Sequence, residues 1–255
     1  MVKMSDNLTG QKKTAVITGG SSGIGFAVAS RLAADGLTCI LIGRNRQKLE
    51  EACRKTGNNS YGFPADLTDL SSLPALVREI ASKFGRIDVL VNNAGIHLKK
   101  PALEVTDEEY QRVILTNQTS VFVLTRETAK IMAAAGGGSV INISSMASHY
   151  GLPGVIAYAA SNSAVEGMTR SLAVELARYN IRVNCIAPGF IKTDMSSSAL
   201  DSDPSRKERV LARTPMARLG KPSEVADAVS FLVSEAASFI TGIVMPVDGG
   251  NSIGF

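Results

Sequence analysis

The 255-residue chain holds only three cysteines and two histidines. Cys39, Cys53 and Cys185 are odd in number and far apart, with no CxxC pair. They leave no disulfide framework and no zinc spacing to read, and they suit a reducing compartment. No run of about 18 apolar residues occurs, so no transmembrane span is expected. The opening stretch MVKMSDNLTGQKKT lacks an apolar signal region, and the expectation is a cytoplasmic protein. Long tracts of one charge are also missing. Net charge is +4, and the basic residues come in short clusters such as Lys12 with Lys13 and Lys99 with Lys100. Without a nucleic-acid motif beside them these read as solvated surface, so neither nucleic acid nor membrane is expected as a partner. Repeats, low-complexity tracts and linkers are absent too, and residues 1–255 are read as a single domain. What is present is a 45% hydrophobic composition, enough for one compact domain with a large core.

Short apolar runs alternate with longer helical patterns. TAVIT (14–18), TCILIG (38–43), SYGFP (60–64), DVLVN (88–92), SVINIS (139–144), RVNCIA (182–187) and IVMPV (243–247) read as strands. Several are apolar throughout, as parallel strands covered on both faces should be. Helices are expected over about 23–35, 46–55, 70–84, 107–134, 155–178 and 222–234. The alternation predicts an α/β fold, a doubly wound parallel sheet of about seven strands with helices on both faces. The least regular stretch, 192–215, follows the sixth strand. An excursion there can cover a ligand crevice at the carboxyl edge of the sheet.

The first strand runs into TGGSSGIG, with glycines at 19, 23 and 25 in a TGxxxGxG pattern. Gly19 and Gly23 permit a tight turn and close backbone approach, and Gly25 is expected to let the helix pack on the sheet. The helix start then offers unbonded N–H groups and a positive dipole end to a pyrophosphate. Its place after strand one of an αβ alternation makes the motif specific for a dinucleotide. At the end of strand two an acid would hold the ribose 2′-hydroxyl of NAD. Here the chain reads Gly43, Arg44, Asn45. No carboxylate repels a 2′-phosphate and Arg44 can clamp one, which favours NADP(H), with NAD(H) as the alternative.

These motifs, with NNAG (92–95), INISS, YAAS, APGFIKTDM (187–195) and VDGG (247–250), run over nearly the whole chain. Together they resemble the short-chain dehydrogenase/reductase family of about 250 residues, with a single Rossmann-type domain. The look is closest to 3-oxoacyl-acyl-carrier-protein reductases and gluconate 5-dehydrogenase-like enzymes. The resemblance assigns the loop residues Gly19, Ser21, Ser22, Gly23, Ile24 and Gly25 to the cofactor. It puts Asp66 and Leu67 at the adenine, and Asn92, Ala94 and Gly95 near the adenosine ribose. Pro188, Gly189, Ile191 and Thr193 are assigned to the nicotinamide.

The family's reacting set is Asn, Ser, Tyr and Lys, and three of the four have counterparts. By the resemblance Asn117, in LTNQTSVF, holds a proton-relay water. Ser145, 13 residues before Tyr158, hydrogen-bonds the substrate oxygen. Tyr158 is the acid/base, delivering or removing a proton at that oxygen. The motif's fourth position, Tyr-x-x-x-Lys, is here Asn162. In the family the lysine holds the nicotinamide ribose and lowers the tyrosine's pKa; Tyr158 and Asn162 are thus also cofactor contacts. A unit charge about 4 Å away is worth roughly 4 kcal/mol at an effective dielectric of 20, about three pKa units. Asn162 can donate hydrogen bonds to the ribose but supplies no such field. The expectation is an NADP(H)-dependent oxidoreductase of ketones and secondary alcohols, 3-oxoacyl thioester or sugar-acid in type, impaired at position 162. The competing reading is a noncatalytic NADP(H)-binding partner subunit or sensor.

His97 and His149 fall just after strands four and five, on loops that would rim the pocket. Lys99, Lys100, Arg206, Lys207, Arg209 and Arg213 could surround an anionic substrate. The long Ala/Val/Leu-rich helices at 107–134 and 155–178, with Gly167 between small residues, predict pairing across a two-fold axis and a homo-oligomer, dimer or tetramer.

Overall fold

The computed structural model describes residues 12–57, 59–193 and 204–254. Seven strands form one parallel sheet: β1 (Thr14–Thr18), β2 (Thr38–Gly43), β3 (Ser60–Pro64), β4 (Val89–Asn92), β5 (Gly138–Ile143), β6 (Ile181–Pro188) and β7 (Val244–Val247). Their order is β3-β2-β1-β4-β5-β6-β7, and each neighbouring pair is parallel. The chain leaves β1 in one direction across the sheet and resumes at β4 in the other. That reversal opens a crevice at the carboxyl ends of β1 and β4.

The helices are α1 (Gly23–Ala34), α2 (Arg46–Thr56), α3 (Leu73–Phe84), α4 (Asp107–Ile114), α5 (Ser120–Ala134), α6 (Ile156–Leu176), α7 (Pro204–Arg213) and α8 (Pro222–Val233). Strand residues alternate between two apolar layers. Ile17, Leu41, Val91 and Ile141 pack with α1 and α8 on one face. Val16, Ile40, Leu90 and Val140 pack with α3, α5 and α6 on the other. With both faces covered, alternation in space becomes an unbroken apolar run in sequence. Ile17, Leu41 and Leu90 are fully buried, each worth about 1.5–3 kcal/mol of transfer free energy. At the edge, β3 buries only Phe63.

Helix starts follow local chemistry. Asn45 caps α2, accepting the Lys48 N–H at 3.0 Å. Thr106 and Glu109 form a reciprocal capping box on α4, which satisfies two otherwise unbonded donors. At α1 the capping position is Ser22, whose side chain makes no cap bond to the first-turn N–H groups.

Three elements differ from the sequence reading. The expected helix over 107–134 is interrupted at Leu115–Thr119 by a widened turn, in which the Ser120 N–H reaches back five residues to the Leu115 carbonyl. The Ser120 hydroxyl takes the Thr116 carbonyl at 2.6 Å, so the insertion leaves that acceptor partnered. Within 192–215 there is a helix, α7, with Pro204 at its first position and Val210 buried. Proline suits a helix start and Lys, Glu, Arg, Leu and Ala propagate one; the Ser- and Asp-rich stretch before it masked that signal. Residues 194–203 of the same excursion lie outside the described residues. Finally, α3 begins at Leu73 rather than 70. Asp69 ties the preceding turn, accepting from the Ser71 hydroxyl at 2.6 Å and, through its carbonyl, from the Ser72 hydroxyl at 2.9 Å. No helix of the described residues is long and apolar enough to cross a membrane.

Candidate functional site

The glycine turn is shaped by what surrounds it. Gly19 has φ +66° and a Cβ there would lie 2.9 Å from Asn93 Nδ2; Gly23 has φ +54°. Both are conformations that side-chain-bearing residues rarely adopt. Gly25 acts differently from the expectation. A Cβ at that position would run into the Gly19 carbonyl oxygen and stand 2.5 Å from Asn93 Nδ2. Its missing side chain therefore lets the turn close on itself, more than it lets α1 approach the sheet. The loop is anchored by Thr18, whose hydroxyl accepts the N–H groups of Asn93 and Ala94, both at 2.9 Å. Asn93 Nδ2 returns a bond to the Thr18 carbonyl at 3.0 Å. This lock joins the ends of β1 and β4 where the strand order reverses. Thr18 and Asn93 were not singled out from sequence; their signal was the Thr before the glycines and the Asn-Asn doublet.

Beside the loop, an open cleft of about 540 Å³ runs between α1 and α8, lined by Gly23, Ala27, Lys192, Thr193 and Ala226 among others. Ser21 is half-buried and Ser22 exposed at the turn, and Ile24 packs against the core. Arg44 is exposed at the end of β2. Its charge reaches Asp66, whose carboxyl is held below its ordinary range mainly by the Thr68 N–H and hydroxyl and to a smaller degree by Arg44. Leu67 is 9% exposed and belongs mostly to the core. Across the crevice, a Cβ on Gly189 would stand 2.7 Å from Asp248 Cβ, so glycine lets the end of β6, at Pro188, pack on the VDGG turn. Ile191 is buried and pairs in a parallel bridge with Gly220.

Asn92 turns its side chain inward. Its amide donates to Thr125 Oγ1 at 3.0 Å and Asn142 Oδ1 at 2.9 Å, and Asn142 passes the chain on to Thr169 Oγ1 at 2.9 Å. The Asn92 side chain braces β4 against β5, α5 and α6, which leaves the backbone of the residue to face the crevice. Gly95 stands differently: a Cβ there would approach Asn117 Oδ1 to 3.4 Å.

The residues expected to react come from three elements. The widened turn points Asn117 at the loop after β4. Its Oδ1 accepts the Ile96 N–H and its Nδ2 donates to the Ile96 carbonyl, both at 2.8 Å. Its side chain thus pins that loop. The pinned loop places the His97 ring against Tyr158, with centroids 4.8 Å apart. Ser145 stands at the end of β5 and its oxygen accepts the Ala147 N–H at 3.2 Å. Tyr158, in the first turn of α6, is half-buried. Burial pushes its phenol above the ordinary value; the nearby Ser145 and Asn162 side chains favour the ionised form, by less. No positive charge is among the causes acting on it. Asn162 is buried and its amide donates to the Tyr158 backbone carbonyl at 2.8 Å. That bond closes back into the helix, one turn below the phenol.

The proposed ring of basic residues is only partly gathered. Lys100 is bonded to Glu109 at 2.9 Å, and Arg213 stacks over the Tyr150 ring at 4.8 Å and donates to the Asn251 carbonyl at 3.1 Å. Lys99 and Arg209 are exposed, and the Arg206 side chain lies outside the described residues. The Arg213 contact sets α7 beside the segment that follows Ser145. His149 is turned toward Glu166, its Nε2 3.0 Å from the carboxylate.

Comparison with known proteins follows the same span. A family model described as enoyl-(acyl carrier protein) reductase matches residues 19–252. The 5-keto-D-gluconate 5-reductase of Escherichia coli K12 is 40% identical over 250 residues, covering 97% of this chain and 98% of that protein. The 3-oxoacyl-acyl-carrier-protein reductase of Thermotoga maritima is 38% identical over 245 residues, 93% of this chain and 97% of that one. A single-residue variant of actinorhodin polyketide ketoreductase, solved with NADPH, superposes with a TM-score of 0.90 at 34% identity, covering 95% of this chain and 98% of its own.

Proposed function

Since the chain belongs to the short-chain dehydrogenase/reductase family of oxidoreductases, we propose that it interconverts a ketone and a secondary alcohol with NADP(H), working best in the reductive direction. The observation that carries the reading is that Ser145, Tyr158 and Asn162 act on one another, with burial pushing the Tyr158 phenol further above its ordinary value. A protonated phenol is a ready acid for carbonyl reduction and a poor base for alcohol oxidation.

The cradle suits a dinucleotide. Gly19 and Gly23 leave no Cβ over the turn, Ser22 makes no side-chain cap at the start of α1, and the exposed Arg44 at the end of β2, with no carboxylate beside it in Gly43-Arg44-Asn45, supports a clamp for a 2′-phosphate, with Asp66 and Leu67 as the proposed adenine contacts. When bound, the nicotinamide supplies or receives the hydride at the carbonyl carbon. The chain's own residues manage the oxygen. The Ser145 oxygen already accepts the Ala147 N–H, which leaves its proton to be given to the substrate oxygen or to the phenol. Tyr158 delivers its proton to the forming alkoxide and recovers one from solvent. Asn117 fixes the loop that carries His97 over the ring. α7 reaches the segment that follows Ser145 through Arg213, which lies over the Tyr150 ring.

The names of the relatives support a 3-oxoacyl thioester or a keto-sugar acid as substrate. A homo-oligomer built on α5 and α6 is supported by Phe122, 40% exposed, and Val174, 81% exposed, on their outer surfaces.

The test is a fluorescence titration with both reduced cofactors, followed by rate measurements on 5-keto-D-gluconate and an acetoacetyl thioester. NADPH should bind more tightly than NADH. Arg44→Ala should weaken NADPH by about 1.5–3 kcal/mol, the worth of hydrogen bonds to a charged group, and leave NADH nearly unchanged. Tighter binding of NADH at physiological salt overturns the cofactor assignment.

A further inference from the structure

Glu166 is a buried carboxylate that the chemistry above leaves without a task. It lies two turns along α6 from Tyr158 and is 7% exposed. One of its oxygens, Oε1, collects three groups from the segment around Ser145. The Ser144 hydroxyl donates at 2.9 Å, the Ser148 hydroxyl stands at 2.5 Å and His149 Nε2 at 3.0 Å. Ser144 and Ser148 flank Ser145 on both sides. The Ser148 hydroxyl is also 2.5 Å from the Ser145 carbonyl, and the Ser144 hydroxyl 3.3 Å from the Ile186 carbonyl. Each hydroxyl has one proton and two acceptors, so the protons are shared through the cluster, which includes the backbone of Ser145 itself.

We propose that Glu166 is a positioning residue: its carboxylate fastens the turn bearing Ser145 to the helix bearing Tyr158, and so sets the hydrogen bond between those two side chains. The inference rests on the reading of Tyr158 as acid/base. It matters more here than at a site with a lysine. Ser145 and Asn162 are the groups that favour the Tyr158 phenolate, Ser145 the more strongly of the two, and the Asn162 amide also spends one of its two protons on the helix carbonyl. Placement of Ser145 is then the main control over the phenol. A carboxylate suits the task because a buried charge is held firmly by several donors. His149 is the one partner of the three at the exposed rim, where substrate would enter.

Glu166→Leu also takes away the carboxylate partner of His149 and a charge that acts on Cys185; the groups nearest the phenol stay as they are. The His97 ring lies against Tyr158 from the loop after β4, and Lys100 is held by Glu109 of α4. The experiment follows the Tyr158 resonance by carbon-13 NMR in cofactor-free protein labelled at the tyrosine ζ carbon, assigned with Tyr158→Phe. Glu166→Leu should raise the Tyr158 titration midpoint by about one pH unit, as expected for loss of a hydrogen bond to a charged group. Glu166→Gln, which keeps an acceptor oxygen, should recover at least half of that shift. Ser145→Ala should give the same upward shift, and Glu166→Leu added to it should give none beyond it, because the two act as one unit. Additive shifts, or a midpoint unmoved in folded Glu166→Leu, overturn the proposal. Should Glu166→Leu not fold, Ser148→Ala carries the test: a smaller upward shift that vanishes in the Ser145→Ala background supports it, and an unmoved midpoint overturns it. Because the readout needs no turnover, failure of every substrate would count against the proposed activity without touching this result.

Discussion

Replacing Asn162 with lysine restores the charge that the Tyr158 phenol lacks. An ammonium about 4 Å from the phenolate would contribute roughly 4 kcal/mol at an effective dielectric of 20, close to three pKa units. The structure reduces that figure. Position 162 is only 6% exposed, so the ammonium is partly desolvated. The hydrogen bond by which the Asn162 side chain itself favours the phenolate is also given up, at about 1 kcal/mol. A net downward shift of about one to two pH units is expected. Burial holds the Tyr158 pKa above its ordinary value. Alcohol oxidation, which needs the phenolate, should therefore be slow near pH 7 and still be climbing at pH about 9–10. In Asn162→Lys the climb should begin about one to two pH units lower, and the rate at pH 7 should rise about 10- to 100-fold. Carbonyl reduction uses the neutral phenol and should stay nearly flat from about pH 6 to 9 in the present chain. Initial rates in both directions, followed by absorbance of the reduced nicotinamide, give the profiles. Rapid oxidation at pH 7 in the present chain, with a profile that Asn162→Lys leaves in place, would show that another group already does the lysine's work and would refute the reasoning.

Gly25→Ala drives a methyl group into the Gly19 carbonyl and the Asn93 amide; it should lower stability by about 1–3 kcal/mol and weaken NADPH binding at least about tenfold, and unchanged melting and titration curves would count against the turn-closing role. Val174→Glu puts a charge on the exposed apolar surface of α6 and should shift sedimentation at micromolar concentration toward smaller species; a monomer before substitution removes the predicted interface. Glu224 is pushed down to about 2, chiefly by its hydrogen bonds to Arg218 and then by the Lys221 N–H. Its contribution is present above the ordinary Glu range and is lost as pH falls toward 2, so Glu224→Gln should cost less than about 1 kcal/mol at pH 6, as an exposed pair does, and the melting difference should narrow below the ordinary Glu range and close only at about pH 2.

The parts that sequence made legible share a local cause. Strands β1, β2 and β4–β6 announced themselves because a strand covered on both faces is apolar at every position. The phosphate turn was visible because positive φ at Gly19 and Gly23 is a demand on single residues. The missing cation at position 162 was visible because Tyr158 and its fourth successor share a helix face whatever the rest of the chain does.

Tertiary structure decided the partners of the buried polar groups. The Asn92 amide is held by Thr125 and Asn142, 33 and 50 residues away. Asn117 pins Ile96 because a widened turn rotates it there, and helical periodicity carries no mark of that inserted residue. Gly25 had a local explanation, helix packing, and acquired a different one once the Gly19 carbonyl was seen beneath it. Glu166 gave no signal, since the segment it fastens, from Ser144 to His149, lies 17 to 22 residues away. Dihedral preference and burial period act over a few residues and can be read from the chain. A buried amide or carboxylate must find donors and acceptors wherever the fold brings them, and that is settled only when distant strands and helices are packed together.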